Sequence, residues 1–174
     1  MLLATEATPF RLLETEHEMS RERFVRLILD LCDQCAIGDG MSIVHGAPLE
    51  VDGVLFSLMQ SERLDPRLLL IYCDIGSPTP GSEAKAYARL LSKNFYFSAQ
   101  RGPVFTIAPE TGRIMMVQTE DLGEVAPLVL ASKLQALVVQ ARAWQEDSSV
   151  LHEEPRHPVP GAAKTSAPRS LPRR

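Results

Sequence analysis

The sequence predicts an α+β fold: an antiparallel twisted sheet in the order α-β-β-β-α-β-β-β-α, forming a homodimer through the middle helix. Three observations carry this expectation. Apolar residues recur at helical spacing near both ends of the chain, from Phe24 to Cys35 and from Leu130 to Ala141. Between them lie strand-length apolar runs punctuated by Asp52-Gly53, Asp65-Pro66 and Pro109 to Gly112. One alanine-rich helical stretch interrupts those runs.

The first helix is expected from Thr15, where Thr15-x-x-Glu18 offers a capping box, to a stop near Gly38. Val25 and Leu29 lie off its main stripe, so the apolar face is wider than one surface helix needs against its own core. A hairpin follows: Leu49 to Val51, Asp52-Gly53 as a two-residue type I′ turn, then Val54 to Gln60 with Val54, Phe56 and Leu58 alternating. The unbroken apolar run in Leu68 to Asp74 predicts a central strand covered on both faces. Pro78 to Ser82 makes a loop and N-cap for a helix over Glu83 to Lys93. Phe95 to Ser98, Val104 to Ala108 and Arg113 to Gln118 are expected as three further strands. The last helix follows Asp121, with Pro127 opening or kinking it.

At 174 residues, one domain is the expectation. Residues 1–14 are read as a flexible N-terminal arm, 15–147 as the folded domain and 148–174 as a disordered tail. From Pro155 onward the chain turns to Pro, Ala, Ser and Arg, and only Val159 and Leu171 could contribute to a core. The last twenty residues hold five basic groups and no acid, so the net charge of −4 becomes −9 over residues 1–154. An acidic body disfavours phosphate-backbone binding, and the basic tail lacks the aromatics that stack on single strands, so no nucleic acid partner is expected. Met1 to Ala4 lack a basic n-region, and Leu68 to Cys73 is too short to span a bilayer. Three cysteines, Cys32, Cys35 and Cys73, are too few for a disulfide framework. A soluble, intracellular protein without membrane insertion is the expectation.

Apparent catalytic motifs fail on position. Cys32-Asp33-Gln34-Cys35 sits at the end of its helix, where the dipole raises a thiol pKa; redox pairs occupy the N-terminus. Gly76 and Gly81 have the spacing of a phosphate loop, but Ser82 stands where the lysine belongs. His152-Glu153 and His157 miss the one-turn spacing of a helical zinc site. No catalytic residue, metal ligand or cofactor site is therefore assigned.

Binding surfaces are better marked. Between Ala84 and Leu91 only Lys85 and Arg89 are polar, so the middle helix needs packing partners on two sides. Its alanines allow close approach, and Tyr87 and Leu91 can anchor, which suits a two-fold contact through Ala84, Tyr87, Ala88 and Leu91. The alternative is complete burial within one chain.

The chain from about Phe24 to Trp144 resembles the type III secretion chaperones of the CesT (Tir chaperone) family. The resemblance rests on the order of Leu49-Glu50-Val51-Asp52-Gly53, Asp65-Pro66, Tyr87-Ala88-Arg89-Leu90-Leu91, and Gly102-Pro103-Val104-Phe105 to Gly112-Arg113. It implies a bacterial cytoplasmic location, a dimer through the middle helix and an effector whose N-terminal segment wraps around it in extended form, without ATP. Components of the secretion apparatus are further candidate partners. Candidate effector-binding residues are Val25 and Leu29, with Leu55, Ser57 and Met59 on the hairpin face opposite Phe56. Two alternatives stay open: the first and last helices cover that hairpin face, or the protein is a regulatory binding module of the same fold not tied to secretion.

Overall fold

A computed structural model describes residues 9–61, 65–78, 80–100 and 102–146. Nine elements follow in order: α1 (Pro9–Gln34), α2 (Gly40–Val44), β1 (Leu49–Val51), β2 (Val54–Gln60), β3 (Leu68–Gly76), α3 (Glu83–Gln100), β4 (Val104–Ile107), β5 (Ile114–Asp121) and α4 (Pro127–Glu146). The strands form one antiparallel sheet in the order β1-β2-β3-β5-β4. The α+β class is as the sequence predicts. The expected tail at 148–174 lies outside the described residues, as do residues 1–8 of the expected arm.

The sheet has one covered side. Phe56, Leu58, Leu69, Ile71, Cys73, Ile75, Ile114 and Met116 are buried on a single face, and α1 and α4 supply the other half of the core. From α1 come Phe24, Leu27, Ile28 and Leu31, and from α4 come Leu130, Leu134, Leu137, Val138, Ala141 and Trp144. These fall at helical spacing, so each helix lays one stripe on the sheet. Each fully buried aliphatic side chain contributes about 1.5–3 kcal/mol of transfer free energy.

The hairpin turn is as expected: Asp52 and Gly53 both have positive φ, 48° and 77°, the conformation a two-residue type I′ connection requires. The Asp65-Pro66 turn also forms, with the Leu68 N–H donating to the Asp65 carbonyl at 3.0 Å.

Four details depart from expectation. The first helix starts at Pro9, not Thr15, so the segment read as an arm is helical from there. Proline is pre-organised for a first helical turn, and Thr15 falls inside the helix, not at its N-cap. Residues Phe95 to Ser98 are the last part of α3, not a strand, leaving five strands among the described residues. Their aromatic composition favours strands, but the helix already running from Glu83 continues through them, because tertiary contacts override that weak preference. A short helix, α2, fills a stretch with no expected element. Asp39 caps it, accepting from the Ser42 N–H at 3.1 Å, and Gly40 lets it close on α1, since a Cβ there would sit 3.1 to 3.3 Å from Leu29 and Cys32. Finally, β3 is buried on one face only; Leu68, Leu70, Tyr72 and Asp74 on the other are half-exposed.

Candidate binding surfaces

The uncovered sheet face follows directly from the strand period. In β2, Leu55 and Met59 are exposed and Ser57 is half-exposed, while Phe56 and Leu58 between them are buried. The three residues proposed from sequence therefore share the face opposite Phe56, and the described helices α1 and α4 lie on the other side. Register extends the surface beyond them. Ser57 pairs with Tyr72, Tyr72 with Val117 and Val117 with Val104, so one row of side chains crosses four strands. Met59 and Leu70 begin a second row that ends at Thr119. Leu70, Tyr72, Met115, Val117 and Val104 were not singled out from sequence. The continuous run in β3 was the available signal: half of its apolar residues had to face somewhere other than the core.

This face carries an ion pair. Arg113 Nε donates to Asp74 Oδ2 at 2.7 Å, and the hydrogen bond to that carboxylate raises the Arg113 pKa.

The middle helix presents a second surface. Ala86 and Leu90 are buried, and Tyr87 is half-buried against the core. Ala84, Ala88 and Leu91 are exposed on a different side, together with Phe95 at 75% exposure. Residues 84, 88, 91 and 95 fall within one turn-to-turn stripe. Three of the four proposed dimer residues therefore stand free of their own core, and Tyr87 borders the stripe. Phe95 was missed because its segment was read as a strand; on the helical period it continues the stripe by one turn. Tyr96 packs against it edge to face, with centroids 5.4 Å apart.

Val25 and Leu29 lie on the outer side of α1, in a shallow groove with Arg21, Glu22, Arg26 and Asp30. Val25 packs partly on the core, whereas Leu29 is 38% exposed. Because α1 covers the Phe56 face, this pair and the Leu55, Ser57 and Met59 trio occupy different sides of the domain and form no continuous patch.

The cysteines differ in setting. Cys32 is buried and Cys35 exposed, and all three cysteines are free. Burial, and then the neighbouring Cys35, push the Cys32 thiol pKa up, opposite to what activation of a nucleophile requires. Among the described residues no three metal-ligating side chains converge, and no helix is long and apolar enough to cross a membrane.

A five-stranded antiparallel sheet with two helices on one face and a third helix at its edge is the fold of type III secretion chaperones. Three solved structures share it. One is the HopA1–SchA chaperone–effector complex, at 17% identity and a TM-score of 0.59, covering 74% of this chain and 98% of that one. Another is the ExsC–ExsE complex, at 18% and 0.57, covering 72% and 93%. The third is the Yersinia pestis type III secretion chaperone SycH with a stable fragment of YscM2, at 14% and 0.51, covering 68% and 97%. No curated protein sequence matches the chain. The chain belongs to the Tir chaperone protein (CesT) family, whose model matches residues 50–145.

Proposed function

We propose that the protein is a homodimeric cytoplasmic type III secretion chaperone that binds the N-terminal segment of one or more effectors in extended form. The observation that carries this reading is the uncovered sheet face, where Leu55, Met59, Leu70, Tyr72, Val117 and Val104 stand exposed or half-exposed on a rigid scaffold. Family membership supports it. An extended segment suits such a face, because apolar side chains at alternate positions enter the spaces between rows while its main chain pairs at a sheet edge. Of the two edges, β4 has the outward main-chain groups of Phe105 occupied by Asn94 of α3, so β1 is the one we assign to strand addition. Val25 and Leu29 give the same segment a second contact around α1.

Dimerisation in this proposal uses the Ala84, Ala88, Leu91 and Phe95 stripe, with Tyr87 at its margin. Binding needs no nucleotide: the effector is held short of folding by occupied apolar surface, and the free energy comes from that burial. The protein has no enzymatic step.

Co-purification from the native host under secretion-inducing conditions, with identification of the bound protein and limited proteolysis, tests this directly. The expected product is a protease-resistant N-terminal fragment of a secreted protein. Recovery of a folded, non-secreted partner instead favours a regulatory binding module, and absence of any bound protein counts against both.

A further inference from the structure

The two edges of the sheet are finished differently. In β4 the hydrogen-bonding phase is set by its hairpin: the Ala108 N–H donates to the Arg113 carbonyl at 2.8 Å. Counting back along the register, Ile107 faces Ile114 and Phe105 faces Met116, both as non-hydrogen-bonded pairs. In such pairs the main-chain N–H and C=O point away from the neighbouring strand. Phe105 therefore turns both of its main-chain groups outward, toward α3.

Asn94 meets both. Its Oδ1 accepts from the Phe105 N–H at 2.7 Å, and its Nδ2 donates to the Phe105 carbonyl at 3.0 Å. One side-chain amide thus reproduces the pair of bonds that an added strand would make. The contact is sheltered, since Leu90 one turn earlier is 4% exposed and Phe105 7%. The rest of the edge is accessible: Val104 is 41% and Ile107 44% exposed, and Thr106 between Phe105 and Ile107 is exposed as well. Among the described residues no hydrogen bond engages the outward Ile107 N–H. A short accessible edge with free main-chain groups is self-complementary and pairs readily with its like. β1 differs, being only three residues long with Glu50 at its centre.

We propose that Asn94 is an edge-closing residue, whose amide occupies the outward hydrogen-bonding positions of Phe105 and prevents a second copy of this chain from joining the sheet through β4. The inference concerns self-association alone and does not depend on what the protein binds.

The test compares the full chain with Asn94→Leu, which keeps the branching of the side chain at Cγ and removes both bonds. Sedimentation velocity at increasing concentration is expected to show wild-type protein at one size and the variant in species at least twofold larger. Adding Ile107→Pro removes an outward N–H without breaking a bond to β5, and N94L/I107P is expected to return to the wild-type size. Hydrogen exchange of the Phe105 amide in the wild type gives a readout that needs no variant. Retardation of about tenfold or more relative to an unstructured amide is expected for an occupied edge position. An N94L variant that keeps the wild-type size, larger N94L species that persist with Ile107→Pro, or a Phe105 amide exchanging at the unstructured rate each overturns the proposal. If N94L does not fold, the wild-type exchange rate decides.

Discussion

Leu90 and Leu91 are neighbours in α3, yet Leu90 is 4% exposed and Leu91 68%. One peptide unit, a rotation of about 100° on a helix, separates a side chain that holds the helix to its own sheet from one that reaches outward. The two substitutions should therefore fail differently. Leu90→Ala is expected to cost about 2–4 kcal/mol of folding free energy, read by urea denaturation. Leu91→Asp should leave the denaturation midpoint nearly unchanged and move the protein to monomer on a sizing column. A soluble dimer of Leu91→Asp sinks the proposed interface.

Leu55 and Met59 lie two register steps to either side of Ser57 and contribute nothing to the core. Leu55→Asp and Met59→Asp should each change stability by no more than about 0.5 kcal/mol, while weakening capture of an extended partner about tenfold or more if these side chains are anchors. Calorimetric titration with the co-purified fragment measures the second effect and a thermal melt the first. Loss of binding together with loss of the melt would point to a structural role instead.

The type I′ turn gives a third expectation. Gly53 has φ 77° with nothing within 4 Å of a built Cβ, so Gly53→Ala meets backbone strain and no clash. A cost of about 1 kcal/mol is expected, measured as a shift of the urea midpoint with unchanged slope. The turn is also tied down by Arg142, which donates to the Asp52 carbonyl at 2.8 Å. Strain at Gly53 is therefore not relieved by moving the hairpin as a whole.

What could be read from sequence follows the strength of local signals. The β1–β2 hairpin was legible because Asp52-Gly53 fixes the turn chemistry and Val54, Phe56 and Leu58 fix the buried side. That in turn placed Leu55, Ser57 and Met59 on the opposite side without a structure. Phe95 was misplaced because aromatic composition speaks for a strand, while the determinant of its state is remote: Asn94 reaches Phe105, eleven residues later, and fixes α3 on β4. The rows through Tyr72 and Val117 were illegible for a similar reason, since which strands become neighbours depends on β5 crossing to β3. The run in β3 had announced two apolar faces; only the fold shows that helices cover one.

Cys73 offers a test of the core through pH. Burial first, and the Asp74 carboxylate second, push its thiol pKa from the ordinary 9.0 up to about 12. The folded chain therefore keeps this proton at a pH where the unfolded chain releases it. Its contribution to stability is complete below pH 9 and is lost as pH rises from 9 toward 12. In that window wild type should lose about 1.4 kcal/mol per pH unit relative to Cys73→Ala, seen by urea unfolding of both proteins at pH 8, 9.5 and 10.5. Thiol labelling supplies an independent readout: exposed Cys35 should react at once at pH 8, and Cys73 only at the rate of global unfolding. Rapid labelling of Cys73 in the native protein would mean that the sheet opens at β3, and the α1 and α4 cover would have to be weaker than its packing indicates.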